Sequence, residues 1–342
     1  MDSLPLMDGI LTMTGNRLNC RMFGYKITRP VNWINRIAFM TSYAYLFYFV
    51  VLMDQNASNI SITQRIFYFT AGAMTNFIFA SRRENIICLL DRIVTPESGR
   101  SVRKLSIMAF LAALTMFTAY SVAELTSSLT STKSSFTAFI AYLPHNLNNY
   151  LLHYPLAYVI MFRILTEYEI IELREIRKSL VSLTSSHNQV CRLKQLEKVR
   201  QDFESNLNFI PFVLFGILFL TIPSAMADVS TLSGYKTFLG YFLFLILHHA
   251  SIGFTIILVV ASVTKSRERV NLIVDETIEI IYRSGTHLSP IDQLLIESLK
   301  KYQRFSFTGW YLFTIDRSLI LTFLSSIVTF SVLLSQLGSS QS

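Results

Sequence analysis

Seven long stretches of this chain contain no Asp, Glu, Lys or Arg. An α-helix rises 1.5 Å per residue, so about 20 residues cross the ~30 Å of hydrocarbon in a bilayer. The first two stretches are short and need flanking residues to complete a crossing. One such stretch could be a buried core helix, but seven in one chain predict seven transmembrane helices. The charge-free stretches are residues 37–53, 66–81, 105–123, 134–162, 205–227, 237–264 and 318–342.

The composition agrees with a polytopic membrane protein. Of the 342 residues, 51% are hydrophobic and only 15% are charged, whereas soluble domains carry about 25% charged residues. These values exclude a disordered, collagen-like or coiled-coil chain, and they argue against an ordinary cytosolic enzyme.

The basic residues fall almost entirely on one side of the predicted membrane. When the loops are assigned to alternating sides, 27 of the 30 Lys and Arg residues share the side of the N-terminus, and the other side holds Arg65, Lys133 and Lys236. Cytoplasmic loops carry this excess, so the N-terminus is predicted in the cytoplasm and the C-terminus outside. This distribution argues against nucleic-acid binding as the reason for the net charge of +8.

The glycosylation sequons and the cysteines fit this orientation. Asn56 and Asn59 each begin an N-x-[ST] sequon in the first outside loop and are candidate glycosylation sites. Cys20, Cys88 and Cys191 fall on the inside, where thiols stay reduced, so no disulfide is expected.

The chain divides into five predicted segments. Residues 1–36 are a polar cytoplasmic segment, and residues 37–264 hold spans 1–6. Residues 265–317 form cytoplasmic anchor helices, residues 318–337 the last span, and residues 338–342 a short outside tail. The predicted fold is therefore an all-α membrane protein of seven helices with a cytoplasmic helical anchor.

Helical periodicity extends beyond several spans. Residues 163–204 continue span 4, turn near residues 185–188, and enter span 5, while residues 265–284 continue span 6. The sequence Ser-Pro-Ile-Asp at 289–292 is typical of a helix start and predicts a further helix over 290–313. These helices either pack as a platform beneath the membrane, which we favour, or remain solvated or lie on the inner leaflet.

A polar stripe runs along one face of the last span. Its residues recur at helical spacing, and Val332 fills the one missing step. A water-contacting pore helix needs such a stripe, although one helix encloses a pore only together with copies from other subunits. The alternative is that the hydroxyls bond back to carbonyls one turn earlier or let helices pack closely. The stripe consists of Ser318, Thr322, Ser325, Thr329 and Gln336.

Residues 329–337, TFSVLLSQL, resemble the signature of the insect gustatory receptors, which is Thr-Tyr, five apolar residues and Gln-Phe. Upstream residues 305–319 also resemble that family's approach to its last span. The sequence departs from the signature at Phe330 and Leu337, and two serines interrupt the apolar run. The resemblance covers about 33 residues, 305–337.

The resemblance implies a tetrameric, ligand-gated, non-selective cation channel whose last spans line one central pore. Gln336 and Leu337 would then form the gate, with Thr329 and Phe330 below it. A ring of Leu side chains closes such a constriction by dewetting. The implied partners are a small-molecule tastant, further receptor subunits and the lipid bilayer, with no cofactor and no nucleic acid.

Span 4 begins with a cluster of polar and aromatic residues in the predicted outer half of the membrane. His145, Asn149 and His153 recur at steps of four, and Asn146 lies beside them. Small-molecule sites combine aromatic walls with a few hydrogen-bonding groups. The alternative is a set of interhelical hydrogen bonds with an interfacial tyrosine belt. Four residues of neighbouring spans join the candidate ligand site: Tyr68, Tyr120, Glu124 and Tyr241.

Other functional classes find little support in the sequence. His145 and His153 lie about 12 Å apart along a helix, too far to share one metal ion. Metalloprotease, phosphate-binding, dinucleotide and hydrolase motifs are missing, so no enzyme is expected. A G-protein-coupled receptor would need the opposite orientation, and a transporter usually shows an internal repeat. An insect odorant receptor, which shares the topology and assembly, remains the nearest alternative.

Overall fold

The computed structural model describes residues 70–71, 74–75, 77–79, 81–93, 135–181, 186–216, 235–283 and 289–339; for residues 135–154 and 235–253, among others, it describes the backbone only. The predicted helical architecture is confirmed for this part of the chain. Among the described helices, none has both the length and the apolar run that crossing a membrane requires. The elements are α1 (Arg83–Ile93), α2 (Ser135–Val181), α3 (Ser186–Leu207), α4 (Tyr235–Arg283), α5 (Pro290–Arg304), β1 (Thr308–Gly309), β2 (Phe313–Thr314) and α6 (Arg317–Ser339).

Two very long helices organise the fold. Helix α2 has 47 residues and helix α4 has 49, so each extends about 70 Å. They pack against each other more extensively than any other described pair of elements. The predicted continuations of spans 4 and 6 as unbroken helices are therefore confirmed. Helix α3 begins at Ser186, so residues 186–188 of the predicted turn are helical, and residues 182–185 lie outside the described ones.

The far halves of α2 and α4 form a four-helix base with α3 and α5. Their apolar residues recur every three or four positions, so each helix has one face that must be buried. The base supports the predicted packed platform rather than four separately solvated helices. Its fully buried side chains include Leu173 and Ile176 of α2, Leu193 and Leu196 of α3, Val274 and Ile281 of α4, and Leu295 and Leu299 of α5.

A second apolar cluster lies next to the base. It joins α1, the middle of α2, the end of α3 with residues 209–215, and residues 256–263 of α4. Its centre is aromatic: the Phe162 ring meets the Phe307 ring edge-on at 4.7 Å, and Phe203 lies 5.8 Å from Phe162. This cluster holds the segment that leads into the last helix, because Phe307 and Ile315 are buried in it.

Helix α5 begins with the predicted cap. The Asp292 N–H donates to the Ser289 hydroxyl at 3.1 Å, and the Ser289 N–H donates to the Asp292 carboxylate at 3.2 Å. Pro290 occupies the first helical turn, where its missing N–H costs nothing.

We expect Ser289→Ala to destabilise the base by about 1 kcal/mol, because the substitution leaves first-turn N–H groups without an acceptor. The measurement is the thermal unfolding midpoint of the purified protein. Ser298→Ala is the matched control, since Ser298 is half-buried in the middle of the same helix and its hydroxyl donates to the Leu294 carbonyl one turn earlier. Equal midpoints for the two variants would contradict the role of the cap.

The prediction of one helix over residues 290–313 is wrong. Helix α5 ends at Arg304, and Phe305 has the extended conformation φ −60°, ψ 131°. Residues 305–308 alternate Phe, Ser, Phe and Thr, and this two-residue period suits extended chain with one face buried. The chain then folds into an antiparallel hairpin in which Thr308 pairs with Thr314 and Gly309 with Phe313.

Candidate functional site: the last helix and its attachment

Helix α6, the predicted pore helix, has a well-defined N-terminus. The Leu319 N–H donates to the Asp316 carboxylate at 3.1 Å, and the Ser318 hydroxyl donates to the same oxygen at 2.6 Å. The bond from Ser318 lowers the pKa of Asp316, so the carboxylate stays charged beside the positive end of the helix. Arg317 also pairs with Glu268 of α4 at 2.6 Å. The start of α6 is thus fixed to both the preceding hairpin and α4.

The first turns of α6 pack against the chain's own apolar cluster. Leu319, Ile320 and Phe323 are partly buried there. The Phe323 ring lies 5.2 Å from Phe215, and Phe215 lies 5.3 Å from Phe313 of the hairpin. Edge-on contacts among these three aromatic rings therefore link residues 209–216, the hairpin and α6.

The remainder of α6 is largely exposed in the single chain. Leu321 is 71% exposed and Val328 is 62% exposed, and both Leu324 and Val332 are at least half exposed. An apolar surface of this kind indicates burial against lipid or protein outside the chain. The predicted polar stripe residues are each exposed: Ser318 and Thr322 in the first turns, and Ser325, Thr329 and Gln336 further along the helix.

Hydroxyls of α6 bond to its own backbone. The Thr322 hydroxyl donates to the Ser318 carbonyl at 3.1 Å, and the Thr329 hydroxyl donates to the Ser325 carbonyl at 2.9 Å. Each hydroxyl oxygen can still accept from water. The two interpretations of the stripe therefore do not exclude each other, and the pore-lining role of these residues stays a prediction.

The β1–β2 hairpin is tightly packed at Gly309. A Cβ atom at this position would lie 2.2 Å from Cζ of the Phe313 ring on the paired strand. No carbon pair tolerates that distance, so any larger residue must displace the ring from its contact with Phe215.

We expect Gly309→Ala to lower the stability by about 1–3 kcal/mol through this overpacking. Combining it with Phe313→Leu should recover part of the loss, because the smaller side chain leaves space for the new methyl group. The unfolding midpoints of the wild type, both single variants and the double variant give the coupling between the two positions. Strictly additive effects would show that the two residues do not compete for space.

A buried ion pair joins three helices of the base. The Arg200 guanidinium on α3 donates to the Glu169 carboxylate on α2 at 2.7 Å, and their side chains are only 5% and 3% exposed. Arg200 also donates to the Tyr302 carbonyl at 2.8 Å and lies 3.7 Å from the centre of the Tyr302 ring. Burial lowers the pKa of Arg200, but the charge and hydrogen bond of Glu169, together with Tyr302 and Glu197, outweigh it, and the net shift is upward.

A second buried carboxylate, Glu204, contacts the hairpin directly. It accepts hydrogen bonds from both the backbone N–H and the hydroxyl of Thr308, the first at 2.8 Å. One turn later, the Asn208 carbonyl accepts a bond from the Trp310 N–H at 3.0 Å, and the Trp310 ring packs edge-on against Phe212. Helix α3 and its continuation thus form hydrogen bonds to Thr308, at the start of strand β1, and to Trp310, directly after its end.

The predicted gate residues Gln336 and Leu337 both lie on α6, as do Thr329 and Phe330. Gln336 is exposed, and the Leu337 and Phe330 side chains lie outside the described ones.

The predicted ligand residues fall mainly outside the described side chains. His145, Asn146, Asn149 and His153 are on α2 and Tyr241 is on α4, each with only its backbone described. Tyr68, Tyr120 and Glu124 lie outside the described residues, as do the sequons at Asn56 and Asn59. Within the described ranges, no three His, Cys, Asp or Glu side chains come close enough to hold a metal ion. The ligand site therefore stays a prediction.

Sequence reasoning missed the buried ion pair of Glu169 and Arg200, although a signal was present. Glu169 shares a helical face with Leu165, Leu173 and Ile176, all fully buried. Arg200 interrupts an apolar stripe of α3 in the same way, at the spacing of its buried neighbours Leu193, Leu196, Phe203 and Leu207. A charge within an apolar stripe indicates a buried, paired group.

Comparison with known proteins identifies the fold. No protein-family model matches the sequence, and no curated protein matches it. The solved structure of insect olfactory receptor OR5 from Machilis hrabei in complex with eugenol superposes with a TM-score of 0.74 at 13% identity, over 98% of this chain and 97% of that chain. A structure of the same receptor described without eugenol gives 0.69 at 12% identity, over the same shares. At these identities the likeness shows that this chain has the fold of an insect olfactory receptor.

Proposed function

We propose that this chain is a subunit of a ligand-gated, non-selective cation channel of the insect chemosensory kind, located in the plasma membrane. The observation that carries the proposal is the fold likeness, which runs from end to end of both chains. In this proposal the chain crosses the membrane seven times with its N-terminus in the cytoplasm, and four copies of α6 line one pore.

The arrangement of α6 supports this proposal. Its first turns pack against the apolar cluster of its own chain through Leu319, Ile320 and Phe323. Later apolar residues with described side chains, such as Val328, are exposed in the single chain. A helix that carries a polar stripe and exposes these apolar residues is suited to face copies of itself around an aqueous path.

The ligand class separates two versions of the proposal. The signature at residues 329–337 favours a gustatory receptor opened by a tastant. The similar receptor solved with eugenol favours an odorant receptor opened by a small volatile compound. In both versions the ligand site is the cluster at His145, Asn149 and His153 in the outer half of the bundle.

The test is expression of the full chain in a cell line without chemosensory receptors, with whole-cell current recorded during application of two ligand panels. One panel contains sugars and bitter compounds, and the other contains eugenol and related volatiles. We expect a cation current in response to one panel, and the responding panel identifies the version. Particle mass in mild detergent should correspond to a tetramer, and a C-terminal tag should be accessible on intact cells.

Two results would overturn the proposal. A monomer with an exposed C-terminus and no current, alone or with co-expressed receptor subunits, would remove the shared pore. A C-terminal tag that is protected on intact cells would contradict the orientation on which the pore assignment depends.

A further inference from the structure

The three-residue connection between strands β1 and β2, residues 310–312, contains a turn with an unfavourable backbone conformation. Trp310 has φ 47° and Tyr311 has φ 59°, and the Leu312 N–H closes the turn by donating to the Gly309 carbonyl at 2.9 Å. Positive φ at both central residues is the pattern of a type I′ turn, which normally carries Asn and Gly. Side chains as large as Trp and Tyr make this conformation costly, so it persists only where the surroundings hold it.

The contacts that hold the turn come from helix α3 and its continuation. The Trp310 N–H donates to the Asn208 carbonyl, and the Tyr311 N–H donates to the Thr308 hydroxyl oxygen at 3.2 Å. That hydroxyl in turn donates to the Glu204 carboxylate, which also accepts the Thr308 N–H. The Thr308 side chain therefore connects Glu204 to the turn itself.

The hairpin is followed at once by the pore helix of the proposed channel. Ile315 is buried beside it and donates its N–H to the Phe307 carbonyl at 2.8 Å, and Asp316 caps α6. The chain from Thr308 to α6 is thus fixed at both ends by short hydrogen bonds. A displacement of α3 has a direct mechanical route to the first turn of α6.

We propose that Glu204 is a positioning residue that locks the strained hairpin onto α3 and so transmits movement of α3 and residues 209–216 to the last helix. The assignment of α6 as the moving pore helix rests on the function proposed above. The attachment of the hairpin to α3 through Glu204 does not rest on that function, because it depends on contacts within one chain.

The protonation state of Glu204 controls how firmly the hairpin is held. Burial raises the pKa of Glu204 to about 7, and the bonds from Thr308 partly oppose this shift. Among the described residues, Tyr158 of α2 interacts electrostatically with Glu204. Of the nearby cations, Arg82 donates to the Ser205 carbonyl, and Arg200, one turn earlier on α3, is paired with Glu169. An ionised carboxylate accepts stronger hydrogen bonds than a neutral carboxyl group, so the hairpin is held more firmly at pH 8 than at pH 6.

Tryptophan fluorescence tests whether Glu204 holds the hairpin on α3 (the lock), and this measurement does not require a conducting channel. The chain has two tryptophans, so Trp33→Phe leaves Trp310 as the only one. With the full chain in mild detergent, we expect acrylamide quenching of Trp310 to increase as the pH falls from 8 to 6, with a midpoint near 7. Glu204→Gln should abolish this dependence. Glu279→Gln, which removes an exposed carboxylate of α4 paired with Arg283, should leave it unchanged.

Substitutions of Thr308 separate the lock from a general loss of stability. Thr308→Val removes the hydroxyl donor and keeps the N–H, so it should move the midpoint upward by about one pH unit. Thr308→Ser keeps the donor and should retain the wild-type midpoint. A flat wild-type profile, a Glu204→Gln profile equal to the wild type, or equal midpoints for the two Thr308 variants would each overturn the proposal.

Recordings with controlled cytoplasmic pH connect the lock to gating. The ligand-evoked current of the wild type should fall between pH 8 and pH 6, and Glu204→Gln should give a low current that does not change with pH. Absence of current in every variant together with a normal fluorescence titration would overturn the channel function and leave the lock supported. A wild-type current with no pH-dependent quenching would overturn the lock and leave the channel function intact.

Discussion

Arg200→Ala is expected to destabilise the protein by about 3–5 kcal/mol, because it leaves the buried Glu169 carboxylate without its partner. The loss extends beyond the ion pair, since Arg200 also donates to the Tyr302 carbonyl and covers the Tyr302 ring. The measurement is the thermal midpoint of purified protein, together with the amount of protein at the cell surface. A destabilisation of this size exceeds what most single substitutions cause.

Two controls define what the Arg200 result means. Lys198→Ala removes an exposed charge from the same helix and should change the stability by less than about 0.5 kcal/mol. Replacing Arg200 and Glu169 together by Met removes both charges, and we expect this double variant to be much more stable than Arg200→Ala. A small effect of Arg200→Ala, similar to that of Lys198→Ala, would contradict the importance of the pair.

Leu337→Ser is expected to increase the current in the absence of ligand by about tenfold, if each closed pore loses roughly 1.5 kcal/mol of apolar contact. In the proposed channel Leu337 closes the outer end of the pore by excluding water. The measurement is basal current normalised to the number of channels at the surface. Leu324→Ser makes the same chemical change on the opposite side of α6, at a half-exposed position, and should leave the basal current near that of the wild type. An unchanged basal current in Leu337→Ser would contradict this gate.

Much of the fold follows from sequence periodicity. The charge-free stretches and their apolar continuations predict the long helices α2 and α4, because an unbroken apolar stripe requires one continuous partner surface. The cap at Ser289 is also predictable from the sequence, since it depends on four adjacent residues. The sequence predicts helix α5 too long because the segment that follows it, Phe305 to Phe307, is as apolar as a helix face. Only the change of the apolar period from 3.6 to 2 residues distinguishes the extended segment from a helix.

The attachment of the last helix could not be predicted in the same way. The contacts of Glu204 with Thr308 and of Asn208 with Trp310 join residues about a hundred positions apart. Positive φ at Trp310 and Tyr311 goes against the preference of both residues, so local sequence rules would place the turn elsewhere. Tertiary contacts determine the backbone conformation of this segment, whereas local sequence preferences determine the cap of α5.

The exposed part of α6 has a consequence for how this chain tolerates change over evolutionary time. Surface substitutions usually alter stability by no more than about 0.5 kcal/mol, and Leu321 and Val328 are surface residues of the single chain. In the proposed channel, mutations at these positions escape selection for folding and are filtered by assembly with neighbouring subunits and by conduction. Duplicated genes could therefore diverge rapidly in pore properties while the base, with its buried Arg200 and Glu169, kept each new copy foldable.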